Sequence, residues 1–207
     1  MDNFDAMAKE FDTGRRIKRA KIIAEKIRTH IKDGHNKDAI EYGSGTGLVG
    51  FQLANDFRSL LLIDSSTEMI CQIEQKLSQL GNPSVSALRC DFMEAVPQGL
   101  QADYVFSSLV LHHIQDTEDI MTRFYSILRD GGHLIIVDID QEDGSFHAKY
   151  PDFDGHNGFE QAFLVDLAEK IGFVKTEIQT FYRDSKIAQG KEAPYSLFIF
   201  DAMRRVR

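Results

Sequence analysis

The sequence predicts an α/β fold: a doubly wound, mostly parallel sheet of seven strands, ending in a hairpin with an antiparallel strand and preceded by an N-terminal helical lid. Three observations carry this reading. Short apolar runs bounded by turn residues alternate with helical patterns from residue 38 onward. Those runs are apolar at most positions, as in strands buried on both faces. The last two runs have no helical pattern between them, so they suit a hairpin. Length agrees, because 207 residues make one domain of ordinary size and leave no room for separate cofactor and substrate halves. Residues 1–207 are therefore read as a single domain, with 1–34 as the lid and 38–207 as the core.

The opening helix is set by Ala20, Ala24, Ile27 and Ile31, which follow Ile17 at helical spacing and end near Gly34. Its outer face carries Arg15, Arg16, Lys18, Arg19 and Lys21 and reads as a solvated side, with Arg15 and Arg16 also placed to meet an anionic substrate. Strands follow at 38–42 and 59–64, with a helix from about Gly47 between them. A second helix runs through Met69, Ile73 and Leu77. Ser65 with Glu68 forms a capping-box pattern at its start, and Gly81-Asn82-Pro83 is its stop. Further strands fall at 85–90, 104–107 and 134–139, with a helix at about 119–128 before Gly131-Gly132. Asn157 and Glu160 open a last helix through Phe163, Leu167 and Ile171. The final strands, 174–182 and 195–203, are joined by about a dozen residues, 183–194. Right-handed crossovers between the parallel strands give the doubly wound sheet.

Composition limits the partners. With 24 Lys and Arg against 32 Asp and Glu, the net charge is −8, so the overall field repels phosphate backbones and anionic lipid. Nucleic acid and membrane are both disfavoured. Cys71 and Cys90 are too few for a disulfide framework and lack zinc-site spacing, which points to a reducing compartment. The start Met1-Asp2-Asn3-Phe4-Asp5 lacks a basic, then apolar, leader, and the longest aliphatic runs are short, so a cytoplasmic location is expected.

The chemistry concentrates where the first strand ends. Glu41-Tyr42-Gly43-Ser44-Gly45-Thr46-Gly47 lies at the carboxyl edge of the sheet, where open α/β sheets bind ligands. One glycine suffices for a tight turn, whereas three at alternate positions let a ligand touch backbone. Residues 45–50 also satisfy G-x-G-x-x-G, and Asp64 lies near the ~20-residue distance of a ribose-binding acid, so a dinucleotide stays open on this motif alone. Glu41, two residues before the loop, argues for a cationic ligand over a pyrophosphate. Asp91-Phe92 after strand three offers a carboxylate to an adenine amine and a ring to its face.

These residues resemble the class I S-adenosylmethionine-dependent methyltransferases, and among them the small-molecule group similar to the ubiquinone and menaquinone biosynthesis enzymes. The likeness spans nearly the whole chain and implies a Rossmann-like core. Glu41 to Gly47 looks like the family's E-x-G-x-G-x-G motif, which implies that Gly43, Ser44, Gly45 and Gly47 cradle the methionine part of S-adenosylmethionine. Asp64 matches the ribose acid, Ser65 and Met69 would flank the adenosine, and Asp91 falls at the adenine position. The stretch Ser107-Ser108-Leu109-Val110-Leu111-His112-His113 resembles the one lining the methyl-transfer site, and Leu128-Arg129-Asp130-Gly131-Gly132 the turn into strand five. The Asn/Asp-Pro-Pro-Tyr/Phe of enzymes that methylate nucleic-acid bases is missing after strand four.

The expected reaction is in-line methyl transfer to a small-molecule acceptor, accelerated mainly by alignment. A hydroxyl acceptor must lose its proton, and His112 and His113 are the imidazoles placed to take it. Apolar cover is expected from Phe4 and Phe11 and from Phe146, Tyr150 and Phe153. No metal is expected: Asp138 and Asp140 lack a third hard ligand and read as solvated strand-end carboxylates. The competing readings are a protein that binds the cofactor without turnover and a single-domain NAD-linked reductase, the latter set aside on the expectation that its Tyr-x-x-x-Lys chemistry is absent.

Overall fold

The computed structural model describes residues 11–150 and 152–207. Its strands are β1 (Asp38–Tyr42), β2 (Ser59–Asp64), β3 (Val85–Arg89), β4 (Ala102–Ser108), β5 (Leu128–Ile139), β6 (Phe173–Ala188) and β7 (Lys191–Arg204). They form one sheet in the order β3-β2-β1-β4-β5-β7-β6. β1 to β5 pair in parallel, and β7 runs antiparallel to both β5 and β6. The order reverses between β1 and β4, so the chain leaves these neighbours toward opposite faces and opens a crevice at their carboxyl ends.

The helices are α1 (Gly14–Arg28), α2 (Gly50–Leu53), α3 (Thr67–Leu80), α4 (Thr117–Ile127) and α5 (Gln161–Ile171). Thr13 caps α1, its side-chain oxygen accepting from the Arg16 N–H, and Ala20, Ile23, Ala24 and Ile27 form its buried stripe. That stripe joins Leu53, Phe57, Leu62 and Ile73 on one side of the sheet. On the other side, Phe124, Ile127, Leu164 and Phe173 pack with Phe92 and Phe198. Neighbouring residues feed opposite layers: Tyr104 and Phe106 go to the first, Val105 to the second. This is the period-two alternation of a strand buried on both faces. Among the described residues no helix is long and apolar enough to cross a membrane.

Several boundaries differ from the sequence expectation: β5 already begins at Leu128 and runs through Gly131-Gly132, the last helix starts at Gln161 with no side-chain cap from Glu160, and three further differences bear on the site and the hairpin. The helix expected from Gly47 is only Gly50–Leu53, because the preceding loop is held in a turn by positive φ at Gly43, Gly45 and Gly47. Ser66, one residue past the expected cap, starts α3 by accepting from the Met69 N–H at 3.1 Å. The largest difference is at the C-terminal hairpin. β6 and β7 stay paired through Ala188↔Lys191, so the expected dozen-residue connection shrinks to Gln189 and Gly190. Both have positive φ, as a tight hairpin turn requires. β5 pairs with β7 only from Leu197 onward, so beyond Ser196 the hairpin stands clear of the sheet. A strand pair with no third neighbour tolerates polar residues and Pro194, which hid it in the sequence.

At the opposite edge, Asp38 starts β1 and accepts from Arg58 Nε (2.9 Å) and Nη2 (2.5 Å) and from Ser59 Oγ (2.7 Å). The Arg58 hydrogen bonds hold its carboxyl down at about 2 against partial burial. A carboxyl depressed in the folded state adds stability above its unfolded value, ~3.9, and loses it as pH falls toward the folded one. Asp38→Asn should therefore cost about 1 kcal/mol in urea unfolding at pH 7, discounted for solvent screening. The deficit should shrink as pH drops from about 4 toward 2. A deficit that stays constant with pH would remove the ion pair as its cause.

Candidate active site

A cleft of about 1150 Å³ opens at the crevice between β1 and β4. The loop after β1 forms its floor. Gly43 has φ +70°, and a Cβ there would lie 2.4 Å from a Val110 methyl, so the loops leaving β1 and β4 approach more closely than any side chain allows. Gly43, Ser44 and Gly45 line the cleft; Gly47 does not, because it sits against Phe51 and Leu62 and its role is packing.

Asp64, at the end of β2, lines the cleft with Ser65, Ser66 and Met69. Its Oδ2 accepts from the Gly45 N–H at 2.7 Å and its Oδ1 from the Ser66 N–H at 2.9 Å. The carboxylate thus ties the glycine loop to the start of α3, a structural duty beyond the ribose contact expected from the sequence. Asp91 also lines the cleft, its Oδ1 accepting from Tyr42 Oη at 3.2 Å and the Met93 N–H at 2.8 Å.

Two sequence-selected residues lie elsewhere. Phe92 is wholly buried, stacked on Tyr42 with ring centroids 4.6 Å apart, so it cannot also face a base. Met93, which the sequence reading passed over, is the apolar neighbour on the cleft wall. Ser107 is buried, and its Oγ donates to the Tyr42 carbonyl at 2.9 Å; Ser108, Leu109 and Val110 take its place on the wall. Phe4 lies outside the described residues. Phe11, Phe146 and Tyr150 line the cleft as expected, while Phe153 stacks behind His147 at 3.7 Å.

Glu41 is 1% exposed, and its Oε2 has no hydrogen-bond partner among the described residues. Burial pushes its carboxyl up to about 8; the Gly50 N–H pulls it partly back and the Asp64 charge adds to the rise. Near neutral pH this acid holds a proton until a cation arrives beside it.

The far wall is made of imidazoles. Leu111–His113 is a single 3₁₀ turn after β4, and both its histidines line the cleft. His112 Nδ1 donates to Asp138 Oδ1 at 2.5 Å, and Asp138 Oδ2 accepts the His112 backbone N–H at 3.2 Å. Asp138 is fully buried, so the expectation of a solvated strand-end carboxylate is corrected. Burial alone would raise its carboxyl, but the His112 ring beside it and the Ile139 and His112 N–H groups hold it below the usual range. Asp140 accepts from Gln161 and Thr180, away from the cleft. His147, from the turn Ser145–His147, completes the wall, with centroids 5.0 Å from His112 and 5.4 Å from His113. Burial, reinforced by His112, pushes His113 and His147 down to about 3, so both rings are neutral.

Cations face this wall. Arg15 is tied to Asp184 (2.9 Å), and Arg16 lies over the Phe11 ring at 4.1 Å. Lys186 stands 3.4 Å from the Phe146 ring centroid; burial, with Arg19 and Arg15 adding to it, pushes its ammonium down to about 8. Tyr182 and Lys186 do form a Tyr-x-x-x-Lys spacing, but on a β-strand, where residues four apart are on the order of 13 Å from each other. Tyr182 Oη donates to Asp184 at 2.9 Å. The reductase pairing is not assembled.

Comparison with known proteins identifies the family and the fold. A family model described as a methyltransferase domain matches residues 33–189. An uncharacterized methyltransferase of Schizosaccharomyces pombe is 23% identical over 153 residues, covering 67% of this chain and 54% of the relative. Phosphoethanolamine N-methyltransferase 2 of Caenorhabditis elegans is 26% identical over 144 residues, covering 68% and 33%. The chain thus spans about half the length of the first relative and a third of the second. Among solved structures, a Bacillus halodurans protein described as a methyltransferase aligns with TM-score 0.75 at 14% identity, covering 88% of this chain and 99% of its own. Haemonchus contortus phosphoethanolamine N-methyltransferase 2, solved with phosphomonomethylethanolamine and S-adenosylhomocysteine, aligns with TM-score 0.73 at 19% identity, covering 90% and 52%.

The buried Glu41 makes cation binding visible as proton release. Because its carboxyl is protonated below about 8, binding of the sulfonium and ammonium groups of S-adenosylmethionine beside it at pH 7 should expel close to one proton. Calorimetry in buffers of different ionisation enthalpy measures this. Release should fade above about pH 9 and vanish in Glu41→Gln; binding without release in the parent would place the cation away from Glu41.

Proposed function

The chain belongs to the S-adenosylmethionine-dependent methyltransferases, and on that premise we propose that it methylates a small anionic acceptor whose nucleophile faces the histidine wall. Asp64 would hold the cofactor's ribose on the β1–β2 side, and Asp91 and Met93 would flank its adenine. His112 and His113 stand across the cleft, where they would face the transferred methyl group. In the reaction, a lone pair of the acceptor forms a bond to the methyl carbon as the carbon–sulfur bond breaks. The released electron pair neutralises the sulfonium, leaving S-adenosylhomocysteine, and the acceptor's proton departs. Alignment supplies much of the acceleration, up to ~7–11 kcal/mol.

The observation that carries an anionic acceptor is the half-buried Lys186. Burial pushes its ammonium down to about 8, with Arg19 adding to the fall and Glu142 opposing it, in a chain of net charge −8. An anion on the cleft side relieves that repulsion and gains a charge-assisted hydrogen bond. The nematode relative, named for an acceptor that bears a phosphate, supports the same class. At the other end, the Asp138 carboxylate holds His112 Nδ1–H, so the ring offers the lone pair of Nε2. The histidine lone pairs are the groups placed to deal with the acceptor's proton.

Purified protein and labelled methyl donor, tested on metabolite pools separated by charge, should put label into the anionic fraction. Label confined to neutral or cationic pools would reject the anionic reading. With the acceptor found, Lys186→Ala should raise its KM at least tenfold. His112→Ala should lower kcat ~10²–10⁴-fold with S-adenosylmethionine affinity unchanged; an unaltered kcat would remove His112 from the reaction.

A further inference from the structure

Three imidazoles meet at the acceptor end of the cleft. A ring nitrogen from each of His112, His113 and His147 lies within 4.8 Å of the others. A general base needs one lone pair, and three around one point exceed that need. Two features of their surroundings suit a different task. The His112 ring is fixed through Nδ1 by the wholly buried Asp138, the carboxylate–histidine arrangement that orients metal-ligating rings and raises their basicity. His147 is 6% exposed and stacked on Phe153, and its Nδ1 is buried with no hydrogen-bond partner among the described residues. A buried polar atom left this way is a standing cost unless a ligand satisfies that ring.

We propose that His112, His113 and His147 form a site for one divalent transition-metal ion, zinc foremost, with its fourth position open to the methyl acceptor. Neutral imidazoles suit zinc and its first-row neighbours, and three protein ligands with one open position is the pattern of catalytic zinc. An equilateral triangle with 4.8 Å sides has its centre ~2.8 Å from each corner, so movements under about 1 Å bring each nitrogen to the ~2.0–2.1 Å of a zinc bond. Lys186 opposes a bare cation here and Asp138 compensates; an anionic acceptor joins both demands, its charge toward Lys186 and its nucleophile on the ion.

This inference rests on the proposed reading, in which the acceptor sits at the histidine wall, and it narrows the acceptor atom. A metal lowers the pKa of a coordinated hydroxyl or thiol, whose proton leaves to water and whose oxygen or sulfur keeps a further lone pair for the methyl carbon. An amine would coordinate through the lone pair that must attack. The acceptor class is therefore an anionic alcohol, phenol or thiol.

The test is cobalt titration of the full chain after chelator treatment, followed by visible absorption. The site should take up one Co²⁺ per chain with the intense bands of a four-coordinate ion, and Zn²⁺ should displace it. Asp138→Asn should weaken binding about 10–100-fold. His147→Ala and His113→Ala should abolish the bands while circular dichroism and S-adenosylmethionine binding persist. Absent bands in the parent, or equal bands in His147→Ala, would overturn the metal site. If the bands are absent and His112→Ala still collapses kcat, the histidine wall acts by proton transfer and the proposed function stands. If cobalt binds but label enters no anionic acceptor, the metal site stands and the proposed acceptor falls.

Discussion

The close approach of Gly43 to Val110 is the constraint on which the rest of the molecule depends. At the reversal of strand order between β1 and β4 the chain must leave two adjacent strands for opposite faces. A Cβ on residue 43 would stand 2.4 Å from the Val110 methyl, so any other residue would force the two loops apart. With them held together, the cofactor loop and the histidine turn become the two walls of one cleft. Asp64 fixes the first wall through the Gly45 and Ser66 N–H groups, and Asp138 fixes the second through His112. Each wall is thus held by one carboxylate that accepts backbone N–H groups.

The cleft is also divided by charge. Glu41, Asp64 and Asp91 gather on the side of β1, β2 and β3, while Arg19 and Lys186 come from α1 and the projecting part of β6; Asp116, capping α4 beyond the histidine turn, is the acid outside this division. A cationic cofactor and an anionic acceptor would each meet the complementary wall, with the histidine rings between them. Burial strengthens both fields and explains why Glu41 and Lys186 depart from their ordinary titration in opposite directions.

Much of this was legible in the sequence because it is local. The strand-to-helix units, the glycine loop and the acids at the ends of β1, β2 and β3 are set by contiguous residues. The doubly wound sheet and its terminal hairpin follow from crossover handedness and the missing final helix. Other features depend on partners far along the chain. Asp138 looks like a solvated strand end until β5 is placed beside the histidine turn, and His147 joins the wall only through the long segment after β5. Phe92 and Ser107 show the limit of motif reading: each sits one residue from a cleft-lining neighbour, Ser107 sent inward by the alternation of β4 and Phe92 by the turn after β3. The polar stretch 183–194 resembles a loop because its two strands have no third neighbour to demand apolar residues, and that misreading hid Lys186.

The central claim is that one cleft seats the cofactor with its sulfur facing the histidine wall. A crystal structure with S-adenosylhomocysteine tests it most directly. The ribose should lie at Asp64, the adenine between Asp91 and Met93, and the sulfur should open toward His112 and His113. A nucleoside bound with its sulfur turned away from these histidines, or seated outside the Gly43–Gly45 loop, would contradict the account.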